Sequence, residues 1–426
     1  MNRKALETRL LARVRNQRGG ASIPRRDRRA VARLSFAQRR LWLLEQLAPR
    51  SSEYVIPCVY RLRGTVDTAV LESAFRAVAR RHEVLRTRFE STGDEPVQVV
   101  DASSQIALEL VDVSDEPDTD ERERRALAVV EHHATLGFDL AAEHPIRVTM
   151  VRLADDHHLL LLAIHHIAAD GWSMEVFTRE LRICYDDALT GGSTALAELP
   201  VQYADYAAWQ RDRLSGEALE RQLGYWRSRL AGLEPLDLPT DRPRPTERSA
   251  AGDRVELTVP PEVTRRLADL AASRDSSLFM ASLTAFQILL SRWSGQDDVV
   301  VGSPTAGRTH ADSEALIGFF VNTLVLRTDT SGDPTFDELL GRVRETALGA
   351  FSHQDLPFER IVEELAPERD LARNPLFQVS FAFQNFAESK WELPGTTVEQ
   401  VDLATTTAKF DLLLALTEGV DGGLHG

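Results

Sequence analysis

Hydrophobic and polar positions divide the 426-residue chain into strands and helices that alternate along its length. His158 to Ile164 is an unbroken apolar segment of strand length, too short to be a long helix. It is followed by Met174 to Leu189, where Phe177, Leu181, Cys184 and Tyr185 recur at helical spacing. Upstream, Ser35 and Gln38 form a capping box for a helix whose stripe is Phe36, Arg40, Leu43 and Leu47. Leu71, Phe75, Val78, His82 and Leu85 line a second amphipathic helix, which leads into a strand at Arg86 to Phe89. A helix starting near Val201 is expected to run on to Trp226 and Leu230, and Pro235 to Pro245 reads as an extended connector. Beyond it, Arg254 to Val259 alternates as a strand, Phe279, Leu283, Phe286 and Leu290 mark an apolar helix face, and Val299 to Val301 forms a buried strand. Ile317 to Arg327 reads as one further strand, with Asn322 on the face of Leu324 and Leu326. A buried amide there must be hydrogen-bonded, as a structural clamp or a cleft residue.

The turn between the apolar strand and the helix after it concentrates the candidate chemistry: His165, His166, Asp170, Gly171, Trp172 and Ser173. On a strand, successive side chains point to opposite faces. If extended geometry persists, His166 joins Leu160, Leu162 and Ile164 while His165 points the other way. Gly171 gives the backbone freedom for a sharp turn, and Ser173 can cap the following helix. One reading is a pair of satisfied histidines at a strand end. A metal site fits poorly, because adjacent strand residues diverge, the helical His-x-x-x-His spacing is absent and the two cysteines, Cys58 and Cys184, lie far off. The third reading is a neutral imidazole at the mouth of a cleft, with Asp170 holding the turn through a buried ion pair.

With 43% hydrophobic residues the chain can bury one large core or two, and about 150 residues per domain favours at least two lobes. A net charge of −15 argues against nucleic acid or an anionic membrane as partner. The cysteines have neither metal nor redox spacing, as expected of reduced thiols in a cytoplasmic protein, and no signal-peptide pattern or apolar run of ~18 residues is present. Residues 1–30 form a basic leader, read as a linker, a docking helix built on Leu6, Leu10, Leu11 and Val14, or a solvated arm.

The turn His165-His166-x-x-x-Asp170-Gly171 resembles that of condensation domains of non-ribosomal peptide synthetases, shared with chloramphenicol acetyltransferase and other CoA-dependent acyltransferases. Ser35-x-Ala37-Gln38-x-Arg40-Leu41-Trp42-x-Leu44 and Arg81-His82-Glu83-x-Leu85-Arg86-Thr87-x-Phe89 resemble the first two motifs of that family. Tyr203-x-Asp205-Tyr206-Ala207-x-Trp209, the Ile317 segment, His353 to Glu359, and Arg369-Asp370-x-x-Arg373-Asn374-Pro375-Leu376 resemble the fourth to seventh, all in family order. The resemblance implies an α/β chain folded as a V-shaped pseudo-dimer of two acetyltransferase-like lobes, residues 31–212 and 213–426, with a tunnel between them. Its activity would be peptide-bond formation between a donor aminoacyl or peptidyl thioester and the α-amine of an acceptor aminoacyl thioester. Both would ride on phosphopantetheine arms of carrier domains, so the domain binds no cofactor itself. Donor and acceptor carrier domains and an adjacent adenylation domain are the implied partners, and the isolated domain is expected to be a monomer.

His166 is then the general base or an orienter of the amine, with His165 beside it, and Gly171 offers a backbone N–H near the developing oxyanion. Asp170 anchors the turn, with Arg86 and Arg308 as candidate partners. Arg81 or Arg86 is drawn inward as a structural cation, while Asn322, Trp172 and Ser173 support the site. An epimerization domain shares the histidine turn but differs in its opening motif, and a heterocyclization domain has aspartates where this chain has histidines. A silent recruitment module usually degrades the turn, which is intact here. The pattern leans toward an L-configured donor. Family members usually continue beyond Gly426, so the chain is expected to be an excised fragment lacking its last element.

Overall fold

A computed structural model describes residues 22–426 except 94, 105, 193–195, 247–248, 366–371, 385–390 and 404–406. The expected leader helix, and Arg369 and Asp370 of the seventh motif, lie outside the described residues. The first half carries β1 (Ala32–Arg33), α1 (Phe36–Leu47), β2 (Val55–Gly64), α2 (Thr68–Arg81), β3 (Thr87–Thr92), β4 (Glu95–Val100), β5 (Leu108–Asp112), α3 (Thr119–Ala134), β6 (Ile146–Ala154), β7 (His157–His165) and α4 (Gly171–Thr190). After them come α5 (Tyr203–Arg213), α6 (Gly216–Leu230), β8 (Thr258–Val259), α7 (Pro261–Ser273), α8 (Leu278–Ser294), β9 (Asp298–Thr305) and β10 (Asn322–Asp329). The chain closes with α9 (Phe336–Ser352), α10 (Phe358–Leu365), β11 (Val379–Gln384), β12 (Thr396–Val401), β13 (Leu412–Glu418) and β14 (Leu424–His425).

Two main sheets form, each with its own hydrophobic core. The first has strand order β12-β2-β7-β6-β5 and the second β10-β9-β11-β13-β14-β8, while β1-β4-β3 makes a small third sheet. β7 is central in the first sheet, antiparallel to both β2 and β6. From His158 to Ile164 it is buried on both faces, which is why its sequence is continuously apolar rather than alternating. β12, from late in the chain, pairs along β2, so the first sheet is completed by the second half of the sequence.

Three local expectations change. The Ser35 capping box is present, with Ser35 accepting from Gln38 N–H and Gln38 accepting from Ser35 N–H. Such a cap contributes about 1 kcal/mol. Yet α1 buries Gln38, Leu41 and Glu45, not the expected stripe, and Leu43 and Leu47 are exposed. The long helix after Val201 is two helices, broken at Leu214–Ser215, where Gly216 takes a left-handed φ of 53°. Of the Arg254–Val259 strand only Thr258 and Val259 pair with β14, and Val255 is 88% exposed.

The leader ends docked rather than free in its described part. Ile23 is buried, its N–H donating to Asp312 Oδ2 (2.9 Å), Arg26 N–H donates to Asp205 Oδ1 (3.0 Å), and Arg28 pairs with Glu83 (2.7 Å). Residues 22–30 are thus tied to the domain at Ile23, Arg26 and Arg28, while most of their side chains stay exposed.

Candidate active site

The site is built where β7 runs out. His165 N–H still donates to Pro145 O (2.9 Å) and His166 N–H to Tyr54 O (2.7 Å), so the extended alternation carries one residue past the strand. His165 is fully enclosed, its ring edge-on to Phe138 (6.1 Å), and its Nδ1 accepts the Ile167 N–H (3.1 Å). The proton of the neutral ring is therefore on Nε2, which is buried and has no hydrogen-bond partner among the described residues. His166 keeps part of its surface open and packs against Phe319 at 5.4 Å. Its Nδ1 lies 3.1 Å from Ala169 O; a carbonyl only accepts, so the proton is on Nδ1 and the lone pair on Nε2. Burial, helped by the Lys409 cation, pushes both imidazoles down to about 3, so both are neutral at pH 7.

Asp170 is fully buried and is itself the N-cap of α4, a role expected of Ser173. Its Oδ1 accepts from Ser173 N–H (2.8 Å), Ser173 Oγ (2.7 Å) and Arg308 Nη2 (3.2 Å), and its Oδ2 accepts from Phe320 N–H (2.9 Å). The ion pair is thus with Arg308 and not Arg86, which instead faces Asp101 O and Glu83. Arg308 also donates to Ser313 O and Leu316 O (2.8 Å), and its guanidinium stacks over Phe320 (4.1 Å). Ser173 Oγ sits 2.7 Å from Gly318 O and accepts Gly318 N–H (3.0 Å) and Arg308 Nη2 (2.8 Å). Trp172 Nε1 donates to Glu314 O (3.0 Å).

These contacts explain why Ile317 to Val321 is a loop and not the expected strand: its backbone groups are satisfied by Asp170 and Ser173 rather than by a ladder. Gly318 is required there, since a Cβ would fall 1.9 Å from the Tyr203 ring. Tyr203 OH donates to Phe319 O (2.6 Å) and lies 2.9 Å from Ser35 Oγ. Gln38 Nε2 donates to Ile167 O (3.2 Å), tying the first motif to the histidine turn.

Gly171 does not use glycine's conformational freedom. It opens α4 without a positive φ, and a Cβ on it would meet nothing within 4 Å. What the glycine leaves is open space beside the turn. Asn322 starts β10 as a clamp: its amide donates to Gln354 O and Leu356 O (both 2.8 Å) and its oxygen accepts Phe358 N–H (2.9 Å). Arg81 is drawn inward to Glu180 (3.0 Å), as is His82 (2.7 Å), whose other nitrogen accepts Ile317 N–H (3.3 Å). Glu180 went unnoticed in the sequence because a lone acid in an amphipathic helix reads as solvated; it is buried. Lys409 also escaped notice, since nothing near it in the chain marks a cleft.

Between the lobes, a shallow recess is lined by Phe319, Tyr206, Asn322, Asp355 and Glu359 among others. No group of three or more histidine, cysteine or acidic side chains able to hold a metal ion occurs among the described residues. No described helix is long and apolar enough to cross a membrane.

Two α/β lobes joined at a buried Asp–Arg pair beneath a histidine turn place the chain in a known class. The condensation-domain family matches residues 28–425, and the chain belongs to that family. It is 47% identical to one of the linear gramicidin synthase polypeptides of Brevibacillus parabrevis over 388 residues, 90% of this chain but 5% of that protein. It is thus similar to one segment of a much longer synthetase. Among solved structures it is similar to the X-domain in complex with OxyB from teicoplanin biosynthesis (TM-score 0.85, 32% identity, 96% of this chain and 90% of that one). The fold is also that of the first condensation domain of the calcium-dependent antibiotic synthetase (TM-score 0.74, 23% identity, 92% and 89%).

Proposed function

We propose that this chain forms peptide bonds between two carrier-bound thioesters, and the observation that carries the reading is the Nε2 lone pair of His166. That atom belongs to a neutral, partly open imidazole fixed by its Nδ1 bond, and no protein group among the described residues occupies it. The acceptor amine nitrogen attacks the donor thioester carbonyl to form the C–N bond and a tetrahedral oxyanion; the carbonyl re-forms as the C–S bond breaks, and the donor sulfur leaves as a thiolate on its pantetheine arm. The amine proton passes to His166 Nε2 or, by way of it, to the departing thiolate. Holding amine and carbonyl together supplies much of the rate, since positioning alone is worth ~7 kcal/mol or more. The Gly171 N–H, at the first turn of α4, is the backbone donor this reading assigns to the oxyanion. Asp170, Ser173 and Arg308 hold the turn and touch no substrate.

The experiment is transfer between two loaded carrier domains in the presence of this chain, read by mass spectrometry of the acceptor carrier. A dipeptidyl thioester on the acceptor supports the reading. Epimerized donor without transfer, or carrier binding without any product, overturns it in favour of an epimerization or recruitment role.

A further inference from the structure

Phe319 is fixed by its backbone and open at its side chain. Gly318 N–H donates to Ser173 Oγ (3.0 Å), Phe320 N–H donates to Asp170 Oδ2 (2.9 Å), and the Phe319 carbonyl accepts the Tyr203 OH (2.6 Å). Ser173, Asp170 and Tyr203 are all buried, so three bonds to enclosed side chains hold the residue from both sides. Gly318 and Phe320 are buried as well, while the Phe319 ring between them stays partly open. That ring packs against the His166 imidazole, with the ring centroids 5.4 Å apart and the planes tilted by 58°. It also lines the shallow recess between the lobes, which His166 itself does not line. The recess carries two carboxylates: Asp355 accepts from Thr309 Oγ1 (3.3 Å), and Glu359 pairs with Arg40 (3.3 Å). Ionised carboxylates keep water about them, because stripping it is costly. The Phe319 ring thus borders a hydrated recess and, through its contact with the imidazole, the proposed base.

Resting on the condensation reading, we propose that Phe319 is a positioning residue that keeps recess water from His166, and so favours the acceptor amine over water as the nucleophile. The two nucleophiles compete for one donor carbonyl and give up their proton to one base. In the unwanted reaction a water oxygen attacks the thioester carbonyl, forming a C–O bond and a tetrahedral oxyanion. The carbonyl re-forms as the C–S bond breaks, and the water proton passes by way of His166 Nε2 to the departing thiolate, leaving a free acid and a discharged carrier. Excluding water from a site suppresses side reactions of this kind. An apolar side chain of this size suits the task, because it fills space and offers the base neither a hydrogen bond nor a proton. Its contact with the imidazole also limits the swing of that ring.

The test follows hydrolysis of a donor-loaded carrier domain in the presence of this chain and without acceptor, read as free acid by mass spectrometry. The wild type should release acid near the rate of the loaded carrier alone. Phe319→Ala should raise that rate by on the order of tenfold, Phe319→Leu should raise it less, and the double variant Phe319→Ala/His166→Ala should return it to the wild-type level. Destabilisation alone does not speed a reaction, so a gain of hydrolysis separates the proposed role from a structural one. If the alanine variant does not fold, Phe319→Leu carries the comparison. Equal hydrolysis by the wild type and a folded variant, or a gain that survives the loss of His166, overturns the inference. Failure of the condensation reading is a separate outcome: with acceptor-loaded carrier added, the wild type makes no dipeptide, whatever the hydrolysis rates.

Discussion

The two faces of one turn differ in how completely their polar atoms are used. On the inner face, the Asp170 carboxylate and the Ser173 hydroxyl are saturated by Arg308, Phe320 N–H, Gly318 and each other, and both residues are buried. On the outer face, His166 has one nitrogen committed to Ala169 O and the other open, and Gly171 has nothing beside its Cα. A saturated buried group contributes to stability and specifies the loop it holds. A fixed group with an unused lone pair is able to do chemistry. Substitutions on the outer face should therefore affect turnover, and those on the inner face should affect folding.

The largest expected effect is at His166. Losing a general base or amine orienter should cost 10²–10⁴-fold in turnover. His166→Ala, assayed for dipeptide transfer, is expected to fall in that range, and a variant within a few-fold of wild type would break the contrast.

Next comes Asp170→Ala, which strands a buried guanidinium and should cost ~3–5 kcal/mol of stability in urea unfolding. A soluble variant with wild-type melting but no activity would move Asp170 to the chemical face.

Gly171→Ala sharpens the contrast differently. The added methyl meets no protein atom and alanine favours helix by roughly 1 kcal/mol, so the melting temperature should hold or rise while transfer slows, because the methyl enters the space left for substrate. A drop in melting temperature would mean that the glycine is structural after all.

The last effect is the pH dependence of stability. His165 and His166 titrate near 3 in the fold, and burial also lowers His82 and His158, whereas unfolded histidine titrates near ~6.5. The unfolded chain then binds more protons below that pH, so this stability is fully present above about 6.5 and is lost as pH falls toward 3. Urea midpoints at pH 7.5 and 5.5 should show it, with a smaller decline in His166→Ala; equal midpoints would contradict neutral burial.

Much of this was legible in the chain. The alternation of β7 placed His165 and His166 on opposite faces, and an arginine partner for Asp170 was expected with Arg308 as one of two candidates. The rest was hidden where side chains, not backbone ladders, decide the structure. Ile317 to Val321 has the composition of a strand, yet Asp170, Ser173 and Tyr203 take up its N–H and C=O groups from a distance no local pattern encodes. The α1 stripe misled because the buried side of that helix carries the polar Gln38 and Glu45. Lys409 is brought over the Tyr54 ring only by tertiary folding.

The most direct test measures melting temperature and dipeptide transfer together for His166→Ala and Asp170→Ala. The account predicts a crossing pattern: His166→Ala melts with the wild type and has lost transfer, whereas Asp170→Ala has lost stability and, in whatever fraction remains folded, retains transfer. If Asp170→Ala melts normally without transfer while His166→Ala still joins the two substrates, the division between the faces of the turn is wrong.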